Sequence, residues 1–86
     1  MPDLITPIVH RNGDTRETLT AQLSTAYRAV SAALEALQHG APNPRNYYVV
    51  DGLFPQALAQ HQARLNALIE VQQSLLAEYR TLDEEA

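Results

Sequence analysis

The sequence predicts an all-α protein: an antiparallel helical hairpin with a short extended N-terminal arm, closing into a helical bundle by homo-oligomerisation. Three observations carry that prediction. Apolar residues recur at alternating spacings of four and three in two long segments, and a stretch rich in proline and asparagine separates them. The chain has 86 residues, near the lower size at which a single chain buries enough surface to be stable alone, so further burial against a second copy is expected.

The elements follow in order. Residues 1–13 read as an arm and a turn; the segment Leu4 to Val9, "LITPIV", is short, β-branched and interrupted by Pro7, which suits an extended arm or edge strand better than a helix. Helix 1 is predicted over 15–39, on the seam Leu19, Leu23, Ala26, Val30, Ala33 and Leu37. Asn12-Gly13 is a turn dipeptide before it, and Asp14 with Glu17 forms a capping box in which each side chain satisfies a free backbone N–H. Gly40, Pro42 and Pro44 end the helix. After a connecting loop over 41–54, helix 2 is predicted over 55–82, with Pro55 in its first turn and a seam of Leu58, His61, Leu65, Leu68, Gln72, Leu75, Tyr79 and Leu82. Ile69, Val71 and Leu76 widen that seam beyond what one partner helix covers, so a homodimer forming a four-helix bundle is the simplest closure. The acidic tail, 83–86, places carboxylates where the helix dipole disfavours them, and fraying is expected there.

Composition removes several function classes. The formal charge is −4 and all six basic residues are arginine, so the broad cationic surface that DNA or RNA phosphates require is missing. No segment approaches the roughly 20 apolar residues of a membrane span, and the opening "MPDLITPIVH" lacks the order of a signal peptide, so a cytoplasmic location without membrane contact is expected. Cysteine is absent, which excludes disulfides and thiolate metal sites. The three histidines, His10, His39 and His61, have no ligand-type spacing, and a zinc site needs about four donors. No metal, cofactor or catalytic residue is expected, because no nucleophile motif, Gly-rich phosphate loop or paired carboxylates outside the tail are present.

Three sets of residues have the chemistry of a binding site. The first is the loop "APNPRNYYVVDG", residues 41 to 52. Tyr47 and Tyr48 offer stacking faces, Arg45 a planar guanidinium, and Asn43 and Asn46 both donors and acceptors, which are the groups that hold a base, a ribose and a phosphate. The same composition also suits a packed corner in which a tyrosine caps the bundle and Asn43 stabilises a turn. The second set is His61 and Arg64, three residues apart on one face of helix 2; His61 is either a satisfied interface histidine or a polar group lining a pocket. The third is "HRNGDTRE", residues 10 to 17, where His10, Asn12 and Arg16 stand by a helix N-terminus that either receives an anion or is capped by its own acids. A head-to-tail dimer would bring this third set to the loop of the other copy.

Taken in order, these motifs resemble a family of small phage and prophage proteins: an arm, a His-x-Asn-Gly turn (His10, Asn12, Gly13), a Pro-Asn-x-Arg-x-Tyr-Tyr loop (Pro42, Asn43, Arg45, Tyr47, Tyr48) and a His-x-x-Arg-Leu run (His61, Arg64, Leu65). The sequence departs from that pattern at Asp14, at Asn46 where an acid is usual, and at "VVDG" where a shorter Pro-Gln-Gly turn is usual. The resemblance implies a phage accessory protein and, among such proteins, a sponge: a homo-oligomer that sequesters a nucleotide-derived immune signal of the host without cleaving it. Competing expectations are a protein–protein inhibitor of a host defence complex, in the manner of small acidic anti-CRISPR proteins, and a structural hairpin of the phage particle.

Overall fold

The computed structural model describes residues 4–84. The first three residues of the predicted arm and the last two of the acidic tail lie outside the described residues. Two helices, α1 (Arg16–His39) and α2 (Leu53–Glu84), pack against each other as an antiparallel hairpin, with a single 3-10 turn at Pro44–Asn46 between them. No strand is present among the described residues. Residues 4–10 belong to no regular element, because the edge strand offered by "LITPIV" has no neighbouring strand to complete its hydrogen bonds.

α1 begins one residue later than the capping box predicts. Thr15 is the N-cap: its extended backbone (φ −71°, ψ 158°) lets its carbonyl accept from Leu19 N at 3.0 Å, and its hydroxyl accepts from Thr18 N at 3.1 Å. Thr15 Oγ1 also lies 2.9 Å from Thr18 Oγ1. Thr15, not Asp14, therefore caps the helix, while Glu17 remains in the first turn where the dipole favours an acid. Thr15→Ala is expected to lower stability by about 1 kcal/mol, measured as a shift in the urea midpoint with an unchanged slope. At the other end the Gly40 N–H donates to Ala36 O and Leu37 O, both at 3.1 Å. Two free carbonyls are satisfied there before Pro42 and Pro44 take the chain away.

α2 begins two residues before Pro55 and runs two residues past Leu82. Pro55 is thus inside the first turn, where a missing N–H forfeits no helical bond. The entry is a tight turn in which Leu53 N donates to Val50 O at 3.3 Å, with Gly52 at φ +79° in the position that requires a left-handed backbone. A Cβ added at Gly52 would meet nothing within 4 Å. Gly52→Ala therefore tests backbone conformation without steric interference, and a loss of about 1–2 kcal/mol in the same urea titration is expected.

The hairpin is a rod of 62 × 23 × 18 Å. Along α1 the half-buried apolar side chains are Leu19, Leu23, Ala26, Tyr27, Val30, Leu34 and Leu37, whereas Ala33, predicted in the seam, is exposed. The packed face is thus turned toward Tyr27 and Leu34, whose larger side chains gain more from burial than alanine does. On α2 the side chains of His61, Leu65, Leu68, Gln72, Leu75 and Tyr79 are half-buried, and Leu82 alone among the described residues is fully buried. Two polar contacts fix the register: Gln72 Nε2 donates to Ser31 Oγ at 2.9 Å near mid-rod, and Arg16 Nε donates to Leu82 O at 2.9 Å at the open end. The second places a cation on a carbonyl of the last turn of α2, where both charge and hydrogen bonding are favourable.

Candidate functional site

The two helices differ in length, 24 residues against 32, and this difference accounts for the loop. From the Ser31–Gln72 contact, counting to the end of α1 at His39 and the same number of residues back along α2 reaches Arg64. The first two to three turns of α2 therefore project past α1, at about 3.6 residues per turn. Among the described residues the connecting segment adjoins these turns, and its Tyr47 packs on Phe54.

That segment folds as a succession of tight turns. Asn43 Oδ1 accepts from Arg45 N at 3.0 Å, Asn43 O from Asn46 N at 3.0 Å, Pro44 O from Tyr47 N at 3.0 Å and Tyr47 O from Val50 N at 3.4 Å. Asn43 is thus committed to an Asx turn, with Pro44 supplying the fixed φ that opens the 3-10 turn. The two adjacent tyrosines are split by this winding. Tyr47 turns inward, half-buried, with its ring 6.0 Å from that of Phe54 and tilted by 38°, a distance and angle within the range of favourable aromatic pairs. Tyr48 turns outward and is 78% exposed, followed by Val49 at 75% and Val50 at 54%.

Arg45 and Asn46 are exposed beside Tyr48, and no side-chain hydrogen bond or ion pair engages the Arg45 guanidinium among the described residues. His61 is half-buried and Arg64 exposed, both on the part of α2 nearest the loop. The loop, His61 and Arg64 thus share the loop end of the rod. The third set does not join them within one chain: His10, Asn12 and Arg16 are at the open end, separated by the length of α1, about 36 Å. There His10 O accepts from Gly13 N at 3.1 Å, and the His10 ring covers Gly13 so closely that a Cβ there would come within 2.7 Å of Nε2. Arg16 is engaged by Leu82 O.

Two concavities lie elsewhere. A cleft of about 120 Å³ between the helices is lined by Leu23, Ser24, Tyr27, Leu75, Leu76 and Tyr79, well below the roughly 300 Å³ at which ligand pockets begin. A broad trough of about 680 Å³ on the outer side of α1 is lined by Glu17, Thr18, Ala21, Gln22, Thr25, Ala26 and Ala29, and it has neither an aromatic face nor a cation for a phosphate. The cleft was half legible in the sequence: Tyr79 stands in the predicted seam of α2, whereas Tyr27 lies beside the seam residue Ala26 and outside the predicted seam of α1. Among the described residues no group of three His, Asp or Glu could hold a metal ion, and no helix is long and apolar enough to cross a membrane.

The fold and this site define a helical-hairpin protein with an aromatic, arginine-bearing tip. Comparison with protein-family models, with curated proteins and with solved structures gives no match for the chain.

Proposed function

We propose that the protein is a non-catalytic binder that sequesters a nucleotide-derived small molecule, a cyclic nucleotide or a cyclic or modified ADP-ribose, as a phage-type accessory protein of the host cytoplasm working as a homo-oligomer. The observation that carries this reading is the exposure of both Tyr48 and Arg45, three residues apart in the same loop: a 78% exposed ring and an exposed guanidinium with no partner of its own among the described residues. Tyr48 stacks on a base, Arg45 and Arg64 pair with phosphates, and Asn46 and His61 read ribose or base edges. Sequestration asks only for tight binding, and the tip offers binding groups without a nucleophile and base in contact.

A thermal-shift titration against cyclic dinucleotides, cyclic and histidine-linked ADP-ribose, and plain nucleotides tests it. A ligand selective for the native state adds about 2.7 kcal/mol at a hundredfold excess over Kd, roughly 10–20 °C in a domain of this size. A flat response across the panel would overturn the reading. It would then favour the second reading, an inhibitor of a host defence complex, for which the exposed Val49 and Val50 speak.

A further inference from the structure

Among the described residues eight large apolar side chains stand well exposed, and six of them fall in two short segments: Leu4, Ile5 and Ile8 of the arm, and Tyr48, Val49 and Val50 of the tip. Ile5, at 84%, and Ile8, at 81%, are the most exposed of all, while Thr6 and Val9 between and beside them are half-buried. The arm therefore turns its isoleucines away from its own hairpin. The two segments lie at opposite ends of the rod, the arm leading into α1 beside Leu82 and the tip lying past His39.

The surface that this rod exposes beyond that of a compact monomer is comparable in size with an interface. A compact monomer of 9.5 kDa exposes about 5,000 Å². This chain exposes 6558 Å², an excess of about 1,500 Å². Stable interfaces of standard size bury about 800 Å² per partner, and obligate homodimers bury more. The occupant is a second copy, because apolar patches at opposite ends of one rod can meet each other in a two-fold pair. A two-fold axis across the rod carries each arm to the other copy's tip, so that one contact, made twice, brings the isoleucines of each arm to the valines of the other tip. An axis along the rod would instead require two unrelated contacts, arm on arm and tip on tip.

We propose that the protein forms an antiparallel two-fold dimer in which Ile5 and Ile8 of each arm dock against Val49 and Val50 of the other copy, with Tyr48 left at the rim of the contact. The interface stands independently of any ligand. Where the nucleotide reading also holds, His10 and Asn12 of one copy come to the loop of the other and complete the set that one chain leaves divided.

Sedimentation velocity at tens of micromolar is expected to give a dimer. Ile5→Asp combined with Ile8→Asp, and separately Val49→Asp, should each weaken it at least about tenfold, a loss of about 1.4 kcal/mol, with unchanged far-UV circular dichroism. The chain has no cysteine, so single Ile8→Cys and Val49→Cys variants give clean cross-linking: under mild oxidation the mixture should form a disulfide-linked pair that neither variant forms alone. A monomeric wild-type chain, a dimer indifferent to both aspartate variants, or a stronger cross-link in Ile8→Cys alone would each overturn the inference. Ligand titration of the wild-type chain reads the proposed function separately.

Discussion

Leu82→Ala is expected to lower stability by about 2–5 kcal/mol, the range for a buried leucine cut back to alanine. Leu82 is the fully buried side chain of the described chain, at 0% exposure, and a two-helix protein of this size has little total stability to lose. The melting temperature should fall by roughly 10–30 °C. The substitution leaves the main-chain carbonyl that accepts from Arg16 Nε at 2.9 Å, so the loss reports side-chain burial rather than the hydrogen bond. Leu58→Ala is the control, since Leu58 is already 42% exposed and its loss should be well under half as large. Equal effects at the two positions in a urea titration would contradict the packing described for the open end.

Tyr48→Ala and Arg45→Ala carry the second large effect, on binding instead of stability. Tyr48 lies in solvent, and its removal should move stability by no more than about 0.5 kcal/mol. In the proposed complex it stacks on a base, worth about 1–3 kcal/mol, so Kd should rise roughly 5- to 150-fold. Arg45→Ala removes a charge-assisted hydrogen bond of about 1.5–3 kcal/mol, and Arg45→Lys should recover part of it by retaining charge without the fork. Tyr47→Ala should show the opposite profile, because its ring packs on Phe54: lower stability, with any loss of binding following from a disordered loop. If calorimetry shows Tyr48→Ala binding like the wild type, the tip is not the ligand site.

Both helices were legible in the sequence, for identifiable physical reasons. The seam spacing has only one regular backbone that brings those residues to a common side, and Gly40 with two prolines after it leaves the first helix nowhere to continue. The details that differ are those in which neighbouring residues carry equivalent signals. Asp14 and Thr15 are both good N-caps, and the choice fell to whichever residue's carbonyl began the helical ladder. Ala33 and Leu34 both lie within one helical sector, and the larger side chain took the buried side. The loop's composition was legible as a set of binding groups, but its orientation was not. Which of Tyr47 and Tyr48 faces inward depends on the winding from Asn43 to Leu53, and on Phe54, a residue that reads on its own as the start of the next helix. The arm was legible as non-helical. A strand was not available to it, since pairing requires a second edge that no other described segment supplies.

The unequal lengths of α1 and α2 give the rod two ends of different mechanical character. At the open end, Arg16 and Leu82 clamp the last turn of one helix to the first turn of the other. At the loop end, the projecting turns of α2 lack α1 beside them and rest on the Tyr47–Phe54 contact and a chain of small turns. Local opening should therefore begin there and travel toward the clamp, with backbone amides of the projecting turns exchanging with solvent sooner than those around Gln72. The groups proposed to hold a ligand thus sit on the part of the molecule that unlatches most readily, and a bound nucleotide would act there as a latch.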